Sequence, residues 1–134
     1  MRTLMVTACL LAAGCSQAGP IEPSASEVAQ LDARLAGYAQ SGPPVSCVNM
    51  RDLRDNHSFG QGVIVFDGPT KASLYVNRPP AGCDEIGMGR ALIIRTTMTR
   101  LCRGDIGEIF DITANISHGS CALGDFTPYR RVKG

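Results

Sequence analysis

The sequence predicts a mainly β fold: a small antiparallel barrel or curled sheet, with one N-terminal α-helix and two disulfides. Its 15 Gly and eight Pro residues indicate frequent turns and short elements. From residue 45 onward, short runs, several of them rich in β-branched residues, alternate with clusters of Gly, Pro, Asn and Asp, as expected for strands and turns. The six predicted strands are 45–50, 62–67, 72–77, 91–97, 108–113 and 119–124. Asp67-Gly68-Pro69, between the second and third of them, predicts a hairpin connection.

The first 15 residues have the three-part pattern of a secretory signal. A basic start over 1–3 precedes an apolar run over 4–11, and small residues at 12–14 stand directly before Cys15. The apolar run is shorter than the roughly 20 residues that a transmembrane helix needs. The Leu-Ala-Ala-Gly-Cys string resembles the lipobox of bacterial lipoproteins, which implies cleavage before Cys15 and acylation of its thiol. An ordinary secretory signal is the alternative.

The lipobox resemblance also implies a location and a chain organisation. We expect a lipid-anchored protein that faces the periplasm. In lipoproteins of this kind, an Asp directly after the cysteine favours retention at the inner membrane. This chain has Ser16 there, so we expect the outer membrane in preference to the inner one. The predicted organisation is a signal peptide over 1–14, a lipidated cysteine and tether over 15–25, a helix with a Pro/Gly linker over 26–44, and a disulfide-stapled β domain over 45–134.

One amphipathic helix is predicted after the tether. Ser24 and Glu27 have the spacing of a capping box, in which each side chain satisfies a free amide at the helix start. Apolar residues then recur at helical spacing, and Ser41-Gly42-Pro43-Pro44 is expected to end the pattern. This stripe is expected to lie against the β domain; a partner-binding helix is the alternative. The stripe consists of Val28, Leu31, Leu35 and Tyr38.

The four cysteines of the β domain predict two disulfides, since an even number in an exported chain favours bridges. Zinc is the rival interpretation, but no two of the four have the short spacing of a structural zinc site. Four cysteines allow three connectivities. We favour the nested pairing of Cys47 with Cys121 and Cys83 with Cys102, because the outer bridge would then tie the first strand to the last.

No catalytic constellation or cofactor motif stands out, so we expect neither an enzyme nor a bound cofactor or metal. The chain has two histidines, His57 in a polar string that predicts a loop and His118 in a predicted turn between the last two strands. A hydrolytic site of His118, Ser120 and Asp125 is the alternative, although the sequence has no nucleophile elbow.

Charge excludes one class of partner and suggests another. Loss of Arg2 with the signal leaves 12 basic and 12 acidic side chains, a balance that argues against nucleic-acid binding. Ten of the 12 basic residues are Arg, whose planar fork suits phosphate and carboxylate groups, so the expected partner besides the membrane is an anionic envelope component or an envelope protein. A GC-rich genome would also favour Arg over Lys. The predicted binding surface comprises Arg51, Arg54, Arg78, Arg103, Tyr129, Arg130 and Arg131.

The closing segment over 119–131 resembles that of small uncharacterised alphaproteobacterial envelope lipoproteins with a lipobox and a four-cysteine β domain. Cys47 and the segments 74–80 and 101–105 extend the resemblance over most of 45–131. It implies no activity. We therefore expect a membrane-anchored, non-enzymatic binding or structural module. The alternatives are a periplasmic inhibitor of a hydrolase, similar to lysozyme or protease inhibitors, and a small hydrolase using His118.

Overall fold

A computed structural model describes residues 22–60, 62–87 and 89–133; the predicted signal peptide and Cys15 lie outside these residues. Within these residues, one helix precedes ten strands, and a 3₁₀ turn, Met50–Asp52, lies between the second and third strands. None of the helices in this described part is long and apolar enough to cross a membrane. The elements are α1 (Ala25–Leu35), β1 (Tyr38–Gln40), β2 (Cys47–Asn49), β3 (Asn56–Phe59), β4 (Val63–Asp67), β5 (Ser73–Asn77), β6 (Ala91–Ile94), β7 (Arg100–Cys102), β8 (Ile106–Asp111), β9 (Ile116–Ala122) and β10 (Phe126–Arg131).

The helix begins as predicted but ends earlier. Both hydrogen bonds of the capping box are present, one from the Glu27 amide to the Ser24 side chain and one from the Ser24 amide to the Glu27 carboxylate. The helix ends at Leu35, and Gly37 follows with a φ of 79°, a backbone conformation that costs glycine little. The predicted continuation to Tyr38 is therefore wrong: Tyr38 begins β1, in a segment that was predicted as helix.

The strands form three antiparallel sheets that are not closed into a barrel. The five-stranded sheet has the order β1-β10-β5-β4-β3, the three-stranded sheet the order β6-β8-β9, and β2 pairs with β7. All six predicted strands overlap an observed one. The predicted hairpin at 67–69 is confirmed, because Asp67 at the end of β4 lies opposite Leu74 of β5.

Two apolar cores lie on opposite faces of the five-stranded sheet. Successive residues of a strand point to opposite faces, so buried residues of β4 divide between the two. One core, which we call the helix-side core, is covered by α1 and consists of Leu31, Val63, Val65, Leu74 and Val76. The other, the disulfide-side core, lies between this sheet and the smaller sheets and includes Ile64, Phe66, Cys83, Leu101, Ile109, Cys121, Leu123 and Phe126.

The four cysteines form two disulfides as predicted, but the favoured nested connectivity is wrong. Cys47 bonds to Cys102, which lies directly opposite it in the pairing of β2 with β7. Cys83 bonds to Cys121 and so ties the loop before β6 to the edge strand β9. The error has a topological cause: β2, which contains Cys47, pairs with β7, whereas the strand that contains Cys121 belongs to the three-stranded sheet.

Candidate anion-binding cleft

A cleft of about 320 Å³ opens at the rim of the helix-side core, where the end of α1 meets the hairpin between β4 and β5. Arg34 belongs to the last turn of α1, where a cation interacts favourably with the helix dipole. Lys71 lies in the turn of the hairpin. Arg54 is held beside the hairpin by a backbone hydrogen bond from the Arg54 amide to the Asp67 carbonyl. The side chains that determine the charge and shape of the cleft are Arg34, Tyr38, Arg54, Asp67, Lys71 and Arg131.

Tyr38 lies between two guanidinium groups of the cleft. It is directly opposite Arg131 in the pairing of β1 with β10. The guanidinium carbons of Arg131 and Arg34 lie 5.2 Å and 5.8 Å from the centroid of the ring, within the range of cation–π attraction. Both cations are therefore positioned by the same aromatic side chain.

The Tyr38 hydroxyl also forms two hydrogen bonds. It donates a hydrogen bond to the Lys71 carbonyl at 2.5 Å and accepts one from the Arg131 guanidinium at 3.2 Å. This bond from Arg131 is the main cause that lowers the pKa of Tyr38 below its ordinary value; burial opposes it, and Arg34 acts in the same direction as Arg131. The contacts join the hairpin turn, β1 and β10 into one network.

Asp67 is the one carboxylate among the described residues that line the cleft, and it already has partners. It forms an ion pair with the Arg34 guanidinium, and the Nε2 atom of His57 lies 3.4 Å from its other oxygen. The lining contains four cationic side chains and this one acid, which gives it a formal charge of +3 with histidine neutral. A locally positive site thus exists in a chain whose total charge is close to zero.

The structure distributes the predicted binding residues over several places. Arg54 and Arg131 line the cleft, and Arg130, the neighbour of Arg131 in sequence, does not. Arg78 and Arg103 border a separate cavity beside Gly124, where Arg103 pairs with Asp125.

The remaining two predicted residues have different surroundings. Arg51 lies at a third cavity with Thr99, and its side chain is 86% exposed. Tyr129 packs against the helix-side core and is partly buried there. The predicted binding surface is therefore not one continuous patch.

Of the cleft's charged and aromatic side chains, the sequence did not indicate Arg34, Tyr38, Asp67 or Lys71. Arg34 and Tyr38 are predicted as parts of one helix, so nothing indicates that the chain turns back between them. Lys71 is not indicated because the predicted surface is based on the planar fork of arginine. The register that places Tyr38 opposite Arg131 depends on β10, which the sequence did not predict.

The residues of the alternative hydrolytic site are not joined to one another. The Nδ1 atom of His118 lies 3.3 Å from the Glu85 carboxylate, whereas Asp125 pairs with Arg103. Both histidines lie in strands, His57 in β3 and His118 in β9, so their predicted placement in a loop and a turn is wrong. Within the described ranges 22–60, 62–87 and 89–133, no group of three or more His, Cys, Asp or Glu side chains could hold a metal ion.

Comparison with known proteins returned no match to a family model, a curated protein or a solved structure. The fold and the cleft therefore define this protein at the level of a mainly β, two-disulfide domain with a cationic cleft. Any statement of function depends on the geometry of that cleft.

Proposed function

We propose that the protein is a non-enzymatic, lipid-anchored module of the bacterial envelope whose cleft binds an anionic group of an envelope partner. The observation that carries this proposal is the local charge of +3 in a cleft where, among the described residues, the one carboxylate is already paired. In a cleft with low-dielectric walls, charges of one sign raise the local concentration of the opposite ion.

The cations available to a ligand support this proposal. Among the described residues, no carboxylate oxygen lies within 4.0 Å of the side-chain nitrogens of Arg54, Lys71 or Arg131. Arg131 is already held against Tyr38 by a hydrogen bond and by the ring face. A guanidinium held in this way loses little conformational entropy when it binds an anion in a bidentate manner.

The direction of α1 is compatible with a protein that has both an N-terminal lipid anchor and an accessible cleft. Glu27 in the first turn lies against Gly60, at the β3–β4 end of the sheet, whereas Arg34 in the last turn reaches Asp67 at the opposite end of β4. The helix spans about 16 Å between its two ends. Residues 22–24, which precede α1, therefore lie at the end of the helix that is remote from the cleft, and this is compatible with an anchor on the N-terminal side of them and an accessible cleft.

The lipid anchor is tested by replacing its attachment site. Cys15→Ala should release the protein from membranes or leave it unprocessed, because the acylated thiol would be lost. Detergent phase partitioning of wild type and variant measures this. A mature-sized variant that stays in the detergent phase as completely as wild type would contradict the anchor.

The cleft is tested by two variants that remove the same charge at neighbouring positions. The full-length protein in nonionic detergent is loaded on beads that carry phosphate or carboxylate groups, and the salt concentration needed for elution is measured. Arg131→Gln should elute at distinctly lower salt than Arg130→Gln, because only Arg131 lines the cleft. Equal elution of the two variants would show that retention follows total charge, and it would contradict the proposed site.

A further inference from the structure

The cleft has features that select among anions. We infer that it recognises a phosphate monoester, a terminal phosphate group on a larger molecule, in preference to a carboxylate or a phosphodiester. This inference rests on the proposed function and specifies the ligand of the same cleft.

Charge is the first reason for this preference. A phosphate monoester carries about −1.5 to −2 at pH 7, because its second pKa is near 6. A monocarboxylate and a phosphodiester each carry a single negative charge. In a cleft with a formal charge of +3, the dianion compensates most of the cationic lining, and the monoanions leave more of it uncompensated.

The kinds of donor in the cleft are the second reason. The terminal phosphate has three oxygens that accept strong hydrogen bonds, and the guanidiniums of Arg54 and Arg131 present planar forks that suit it. Lys71 adds a compact ammonium from the hairpin turn. Thr70 of the same turn also lines the cleft; its hydroxyl is 3.5 Å from that of Ser73, which begins β5 and donates a hydrogen bond to the Thr70 carbonyl. A carboxylate has two oxygens and cannot use as many of these donors at once.

The contacts of Tyr38 limit which chemical groups the rest of the ligand can contain. Its ring lies within cation–π distance of both Arg34 and Arg131, and its hydroxyl is engaged by Lys71 and Arg131. The ring therefore positions cations, and we do not expect a base or an aryl group of the ligand to stack on it. The phosphate is then the group that the cleft recognises. The volume of about 320 Å³ leaves room for part of the molecule that carries the phosphate.

Calorimetric titration of the full-length protein in nonionic detergent tests the preference. The probes are methyl phosphate, dimethyl phosphate and acetate, which differ in charge and oxygen count but add little apolar surface. Methyl phosphate should bind about tenfold more tightly than either of the others, as expected when additional charge-assisted hydrogen bonds form. Arg131→Gln should abolish most of this difference, and Arg130→Gln should retain it.

The outcomes separate this inference from the proposed function. Equal or tighter binding of acetate or dimethyl phosphate would overturn the inference. Failure of methyl phosphate to bind would also overturn it, and the proposed function would still stand if bead retention depended on Arg131 and not on Arg130.

Two further probes identify the source of the phosphate. Phosphatidic acid in the detergent micelles presents the monoester on a lipid, and glycerophosphate presents it in solution. Binding of either one, lost in Arg131→Gln, supports the inference and assigns the source. Binding of both supports recognition of the phosphate alone, and binding of neither overturns the inference.

Discussion

The two cores of this protein are stabilised in different ways. The disulfide-side core contains the buried half-cystines Cys83 and Cys121 and is covered by sheets of two and three strands. The helix-side core has no cystine and is covered by a single capped helix on a five-stranded sheet. The cationic cleft lies at the rim of the second core. Covalent bonds thus support the part of the molecule with the smaller sheets, and the candidate site is assembled by non-covalent contacts alone.

The largest effect should come from removing a bridge of the disulfide-side core. Each bridge closes a long loop, with sequence separations of 55 and 38 residues, and chain entropy assigns about 4 kcal/mol to each. Cys83→Ala/Cys121→Ala should lower the free energy of unfolding by about 2–5 kcal/mol, which urea denaturation measures. The folded fraction should still bind anions, since no cystine lines the cleft. An unchanged unfolding midpoint would contradict this division of roles.

A smaller loss is expected from the helix-side core. Leu31 is the one buried residue of α1, and it packs against β4 and β5. Leu31→Ala should lower the free energy of unfolding by about 2 kcal/mol and weaken anion binding, because Arg34 is on the same helix. Val28→Ala on the exposed side of α1 is the matched control and should change stability by less than about 0.5 kcal/mol. Similar losses for the two variants would indicate that α1 does not cover this core as described.

The smallest effect is a change in the titration of one tyrosine. The hydrogen bond from Arg131 is the main cause that lowers the pKa of Tyr38, so Arg131→Gln should raise this pKa toward its ordinary value. Absorbance titration at alkaline pH measures the change, with Tyr38→Phe identifying the signal of Tyr38 among the three tyrosines. Arg130→Gln should leave the titration as in wild type. A Tyr38 pKa that is the same in the Arg131→Gln variant would contradict the network.

Local sequence signals predicted the fold class well. The capping box, the hairpin at 67–69 and the six strands were all recognised, because each depends on residues close together in the chain. The edge strand β3 was missed because its residues Asn56, His57 and Ser58 are polar. Its backbone nevertheless pairs with β4, which supplies the apolar side chains. The strand β10 was missed because Pro128 and two arginines resemble a tail.

The candidate site could be predicted only in part. Arg54 and Arg131 were recognised because the planar fork of arginine suits phosphate and carboxylate groups. Tyr38 and Arg34 were not, because their contribution depends on the turn at Gly37 and on the pairing of β1 with β10. The disulfide connectivity failed for the same reason: it depends on which strands are neighbours, and sequence spacing does not determine that.

The most direct measurement of the central claim follows the arginine side chains themselves. Nuclear magnetic resonance of the Nε–Hε groups, recorded while inorganic phosphate is added, reports which guanidiniums meet the anion. We expect saturable shifts for Arg54 and Arg131, and little change for Arg51, Arg78 and Arg130, which lie outside the cleft. Equal, non-saturating shifts of all the arginines would mean that phosphate screens the whole surface, and they would contradict an anion-binding cleft.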